Sequence, residues 1–227
     1  MEIKYLGHSA FYLESDDYRA IIDPFLTGNS QCTATIEDFD ELTHIFVTHG
    51  HGDHLGDAVE LARRTEATII TNFELGNYLL FNYKNISVHT MHIGGRTTLD
   101  GIIIKMTNAL HGSSVITPEN DIIYAGNPCG FLIDCDNIKI YHAGDTGLTL
   151  DMKLLKDEHV NIAMLPIGGN FTIDIQDACK AVQLIQPELT IPMHYNTFPP
   201  IQADPYKFQK LVSSKVKVMD INEKINV

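Results

Sequence analysis

The chain has 227 residues, 44% of them hydrophobic and 20% charged, with a formal net charge of −13. That length supports one substantial domain, so residues 1–227 are expected to share a single fold. The acidity argues against a nucleic-acid partner, because phosphate contacts need clustered Lys and Arg and no such cluster occurs. No stretch approaches the roughly 20 consecutive apolar residues that span a bilayer, so no membrane partner is expected. The amino terminus runs straight into strand-like alternation, without the basic start and apolar centre of a signal peptide. Cys32, Cys129, Cys135 and Cys179 are scattered, with no C-x-x-C pair or disulfide framework. They read as small buried hydrophobes in a cytoplasmic chain.

The first quarter is strand-rich, with short runs at 3–6, 11–14 and 18–22 separated by Gly-His-Ser and Ser-Asp-Asp turns. The apolar run 44–48 is of the kind buried in a sheet. Leu55, Ala58, Val59 and Ala62 then recur at helical spacing and predict one helix over 55–64. A strand at 68–71 and a helix over 73–83 follow.

The middle returns to strands at 86–89, 96–99, 102–108, 122–125, 130–134 and 138–142, with Asp100-Gly101 a strong hairpin signal. Helix–strand alternation then resumes: helix 148–156, strand 162–165, helix 174–186 ended by Pro187, and strand 189–191. Asp204-Pro205 is a cap and first-turn pair for a last helix with Phe208, Leu211 and Val212 inward. Strands followed by strand–helix units, twice over, suggest a four-layer α/β/β/α sandwich.

Chemistry concentrates in Thr48-His49-Gly50-His51-Gly52-Asp53-His54, between a buried strand and a helix start. Three imidazoles and a carboxylate in six residues exceed what a turn needs, and with thiolate missing they suit zinc, manganese or iron. His49 and His51, two apart in an extended segment, can point the same way and share one metal. Asp53 and His54, at the helix start, can reach a second metal beside it. Gly50 and Gly52 allow the tight backbone this needs. Asp145 and His194 each follow a short apolar strand, a usual position for ligands in α/β folds. Asp145 carries two oxygens and could bridge two metals.

The order H-x-H-x-D-H, then His, then Gly-Asp-Thr-Gly, then His resembles the metallo-β-lactamase superfamily over nearly the whole chain. Leu6-Gly7-His8-Ser9, Ile22-Asp23-Pro24-Phe25 and Pro192-Met193-His194-Tyr195-Asn196 look most like the branch containing ascorbate-phosphate lactonase and predicted metal-dependent hydrolases. The resemblance implies that His49, His51 and His111 hold the first of two divalent ions, and Asp53, His54 and His194 the second, with Asp145 bridging. It leaves His89 and His92 as rivals to His111, and places Asp23 in support of the ligands. His8 could orient a ligand or touch substrate; His142 is weighed for the same role.

The expected reaction is hydrolysis of an ester, lactone, amide or phosphoester bond in a small molecule, anionic at the reacting group, by a metal-bound hydroxide. Asp53, Asp145 and His194 are the expected catalytic residues, with zinc the first choice of metal. Ser113, Ser114, Asn127, Asn170, Asn196 and Phe198 flank the ligand loops and are candidates for lining the pocket. A phosphodiesterase or nuclease, a non-haem iron oxidoreductase and a non-catalytic metal-binding protein are the alternatives. A homo-oligomer is compatible with all of them.

Overall fold

Short β-branched and aromatic runs between polar turns give strands, and apolar residues at helical spacing give the connecting helices. The structure is a computed structural model that describes residues 1–16 and 18–227. Asp17, in the expected Ser-Asp-Asp turn, lies outside the described residues.

The amino-terminal strands are β1 (Glu2–Gly7), β2 (Ala10–Glu14), β3 (Arg19–Ile22), β4 (His44–Phe46), β5 (Thr68–Asn72) and β6 (Ser87–Met91). Two hairpins follow, β7 (Arg96–Leu99) with β8 (Ile102–Asn108), and β9 (Ser114–Ile116) with β10 (Ile122–Tyr124). The remaining strands are β11 (Cys129–Cys135), β12 (Ile138–His142), β13 (Ile162–Pro166), β14 (Leu189–Met193), β15 (Lys215–Val216) and β16 (Lys224–Asn226). The α-helices are α1 (Gly52–Leu55), α2 (Ala58–Thr65), α3 (Phe73–Asn82), α4 (Ile175–Ile185) and α5 (Pro205–Leu211).

The chain forms two units. The first comprises Met1–Ile93, Gly112–Pro128 and Ile221–Val227. Its seven-stranded sheet has the order β16-β1-β2-β3-β4-β5-β6. The pairings from β16 to β3 are antiparallel and those from β3 to β6 parallel. On one face Leu6, Ala10, Ile21, Ile45, Val47 and Ile69 meet Leu61, Ala62, Leu75 and Leu79 of α2 and α3 in one apolar core. At about 25 cal/mol per Å² of apolar surface, such burial is the main force holding helix to sheet.

The second unit comprises Gly94–His111 and Cys129–Asp220. Its sheet has the order β15-β14-β13-β12-β11-β8-β7, parallel from β15 to β12 and antiparallel from there to β7. Asp174 caps α4 by accepting from the Asp177 amide, and Asp204 caps α5 by accepting from the Tyr206 amide. Asp100 and Gly101 both take positive φ, 48° and 84°, as a two-residue hairpin turn requires.

Four local expectations are corrected. The helix expected over 55–64 divides into α1 and α2, because Gly56 sits at φ 43°, where a Cβ would strike the Pro24 carbonyl. Asp57 then turns away to accept the Leu26 and Thr27 amides. The helix expected over 148–156 is a run of 3₁₀ turns over Leu150–Glu158, whose buried residues Met152 and Leu155 are three apart. Leu211 at the end of α5 is 55% exposed, while Phe208 alone of the three expected residues is fully buried. Strands β9, β15 and β16, too short to show a period, were not expected from the sequence.

Candidate metal centre

Segment 48–54 leaves β4 and enters α1 with His51 as the helix cap residue, whose carbonyl accepts the His54 and Leu55 amides. The imidazoles converge because the turn is held from below by Asp23. One Asp23 oxygen accepts the Thr48 amide at 2.8 Å; the other accepts the Thr48 hydroxyl at 2.8 Å and His54 Nδ1 at 2.8 Å. The Thr48 hydroxyl, its proton committed to Asp23, must accept from His49 Nδ1, 3.0 Å away. One buried carboxylate therefore sets two tautomers, which puts the Nε2 lone pairs of His49 and His54 among the atoms that could hold a metal ion. His51 differs: its Nδ1 faces His49 Nε2 at 3.0 Å. Adjacent ligands on a metal with bonds of roughly 2.0–2.1 Å lie about 3.0–3.4 Å apart, so that spacing fits one ion.

His8 is fully buried on the turn between β1 and β2, with Nε2 3.3 Å from Asp53 Oδ2 and its ring edge-on to Phe25 and His54. Its backbone is left-handed, φ 57°, as is that of Asp23, φ 45°. Such conformations cost non-glycine residues on the order of 1–2 kcal/mol and persist only where surrounding structure fixes them. Here they aim two buried polar side chains at the ligand segment.

The second unit carries its own convergence. Asp145 Oδ2 lies 3.0 Å from His194 Nε2 and 3.6 Å from His111 Nε2. His194 also has a positive φ, 53°, directly after β14. The segments are tied together by Thr146, whose hydroxyl accepts the Leu110 amide at 3.0 Å, while Leu110 accepts the Gly147 amide at 2.9 Å. His89 pairs with Ile70 on edge strand β6, and His92 stacks on Phe73 at 5.4 Å. Asn196 spends its side-chain oxygen on the Ala203 amide of its own loop, and His142 Nδ1 accepts the Gly144 amide. Tyr195, beside His194, is pushed up to about 12 by burial, so its hydroxyl stays protonated at neutral pH.

Among the described residues, the sets of side chains able to hold a metal ion draw on His8, His49, His51, Asp53, His54, His111, Asp145 and His194. All are imidazoles and carboxylates, the donors that suit zinc, manganese or iron. The sequence profile of the beta-lactamase superfamily domain matches residues 2–194. A UPF0173 metal-dependent hydrolase from Alkaliphilus metalliredigens is 52% identical over 100% of both chains. One from Carboxydothermus hydrogenoformans is 48% identical over 99% of both. The chain belongs to this family of metal-dependent hydrolases.

Igni18, a metallo hydrolase from Ignicoccus hospitalis, is 38% identical, with a TM-score of 0.87 over 99% of this chain and 97% of that one. The expected metallo-β-lactamase fold is thus the fold of this hydrolase. No helix of the described residues is long and apolar enough to cross a membrane.

The sequence reading places Asp23 as a support and Ser113 beside the pocket in this hydrolase, but does not single out the hydroxyls of Thr48 and Thr146. Thr48, Ser113 and Thr146 each adjoin a ligand segment, and a hydroxyl there is the only available signal. Ser113 Oγ accepts the Gly50 amide at 3.2 Å and donates to the Ala125 carbonyl at 3.0 Å, holding the ligand turn against β10. Of the other pocket candidates, Asn127 accepts the Tyr124 hydroxyl at 3.2 Å, and Asn170 sits in a turn at φ 57°.

Proposed function

We propose that this hydrolase works with two divalent cations on an ester, lactone, amide or phosphoester bond of a small molecule. His49, His51 and His111 would hold one ion, and Asp53, His54 and His194 the other, with Asp145 shared. The observation that carries this reading is Asp23, which engages Nδ1 of His49 through Thr48 and Nδ1 of His54 directly, and so keeps both Nε2 atoms in the form a metal needs. The 3.0 and 3.6 Å distances from one Asp145 oxygen to two imidazoles support the shared role. Bound cations of this kind lower the pKa of water toward ~7 and polarise the bond under attack.

The chain's own groups do the rest. Asp53, with His8 beside one oxygen, would orient the attacking water and take up its proton. Two dications against the carboxylates of Asp53 and Asp145 leave a positive site, so negative charge at the reacting group is favoured. Zinc is the first candidate, followed by manganese and iron. The four free cysteines favour a cytoplasmic setting. The net charge of −13 weighs against the nuclease alternative.

Metal content per chain tests the reading, in protein purified without chelator or histidine tag. Two equivalents of zinc or manganese, with hydrolysis restored by that metal after stripping, are expected. One equivalent of iron would move the assignment to oxygen chemistry, and no metal after add-back would end it.

A further inference from the structure

The first unit contains a cavity of about 450 Å³ beside its ligand segment, of a size that takes a small organic molecule. Its lining joins the polar His51 and Asp53 to the largely apolar Leu55, Tyr83, Val115 and Ile116. Among the described residues no lysine or arginine lines it, and Asp53 is its one carboxylate. Gly52 opens the floor, since a Cβ there would meet nothing within 4 Å.

Part of that apolar lining, Val115 and Ile116, belongs to the β9–β10 hairpin. Its register places Ile116 opposite Ile122 and Ser114 opposite Tyr124. Side chains of directly paired residues share a face, so Ile116, Ile122 and Tyr124 form one apolar surface. These three are 68%, 75% and 66% exposed, whereas Val115 on the opposite face is buried in the core. Four bonds pin the base of the hairpin. Besides the Ser113 bonds, the Asn72 amide donates to the Ala125 carbonyl at 2.9 Å and to that of Asn127 at 3.2 Å. Gly50 fits under it, where a Cβ would come 2.7 Å from Ala125 Cβ. The connection between the strands carries Glu119 and Asp121 and no cation.

Resting on the hydrolase reading above, we infer that the substrate bears an uncharged alkyl or aryl group. That group would sit against Leu55, Tyr83 and Ile116, with the scissile bond toward His51 and Asp53. A sugar phosphate or other group anionic at that end would meet apolar side chains and an acidic hairpin connection, with no cation among the described lining residues to receive it. A second copy of the chain is the weaker occupant. Stable dimers bury about 800 Å² per partner over some 20–30 residues, and this apolar face consists of three side chains.

The test compares p-nitrophenyl acetate, butyrate and octanoate with the metal-loaded enzyme and its Ile116→Glu and Tyr83→Trp variants. Each accommodated methylene adds to binding, so kcat/KM is expected to rise from acetate to octanoate by on the order of tenfold or more. Ile116→Glu should collapse the octanoate-to-acetate ratio while metal content and oligomeric state stay unchanged. The chain has no native tryptophan, so Tyr83→Trp fluorescence reports occupancy directly, and octanoate should shift it at lower concentration than acetate. An unchanged ratio in Ile116→Glu, or equal titration by octanoate and acetate, would overturn the inference. So would dissociation of an oligomer by Ile116→Glu with the ratio intact. Selective octanoate binding without hydrolysis of any ester would keep the cavity assignment and remove the ester from the proposed bond types instead.

Discussion

The two units use one strand plan and opposite ways of presenting ligands. Each sheet joins three antiparallel pairings to three parallel ones. In the first unit four candidate ligands come from a single turn, segment 49–54, and one carboxylate beneath it fixes two imidazoles at once. In the second unit His111, Asp145 and His194 come from three segments far apart in sequence, joined at one Asp145 oxygen. A turn can be shaped locally by glycines, whereas three strand-end loops must be fixed by the whole sheet. The first half-set is therefore exposed to single supporting residues, and the second to anything that moves a strand end.

The largest effect is expected at the point where the second unit converges. Asp145→Ala removes the oxygen shared by two imidazoles, so hydrolysis should fall by several orders of magnitude and metal content should drop. Rate and metal content are measured on the same sample; lost activity with both metals fully retained would contradict the shared-ligand role. In the first unit the corresponding change is one step removed. Asp23→Ala leaves every ligand in place but frees the tautomers of His49 and His54. Metal affinity, read by competition with a chelator, should fall about 10–100-fold. An affinity within twofold of the parent would mean that the turn orients its imidazoles without Asp23.

The same contrast decides what the sequence discloses. His49, His51, Asp53 and His54 are legible because a turn that concentrates ligands also concentrates them in sequence. Asp145 and His194 are legible only as polar residues after apolar runs, and His111 only through family resemblance, since nothing local separates it from His89 or His92. The helices α4 and α5 begin where Asp174 and Asp204 announce them. The break between α1 and α2 was invisible, because its cause is the Pro24 carbonyl, 32 residues upstream of Gly56. The hairpin strand β9 was missed for a similar reason. Its three residues owe their conformation to β10 and to the Ser113 and Asn72 bonds, not to any period of their own.

Glycines behind each half-set sharpen the comparison at smaller cost. A Cβ on Gly168 would strike the His194 carbonyl and come 2.8 Å from Ile201 Cβ. In the first unit a Cβ on Gly50, between His49 and His51, would come 2.7 Å from Ala125 Cβ. Either change to alanine should destabilise the fold by about 1–3 kcal/mol in denaturant unfolding. Metal affinity should fall further in Gly168→Ala, because the turn around Gly50 can readjust locally whereas the displacement at Gly168 reaches His194 at the end of β14. Equal affinity losses in the two variants would remove the distinction drawn between local and sheet-held ligands.

The smallest effect separates the sheet of the second unit from its chemistry. Glu158, at the end of the 3₁₀ segment, accepts from Arg96 of β7 and Lys105 of β8, both at 2.7 Å. Burial pushes its carboxyl up, but the hydrogen bonds from Lys105 and Arg96 outweigh it and hold the pKa below the usual value. A carboxyl with a depressed folded-state pKa binds its proton more readily when unfolded. Its contribution is therefore complete above the ordinary glutamate pKa of roughly 4.3 and is lost as pH falls through the lowered value. Arg96 is partly exposed, so screening limits the effect to about 1 kcal/mol. Glu158→Gln should lower stability near pH 7 by that amount and flatten the acid limb of the stability curve below about pH 4. Metal affinity at neutral pH should stay within twofold, since Glu158 ties the edge hairpin and not the ends of β12 or β14. A large drop in affinity would mean that this edge of the sheet also positions Asp145 and His194.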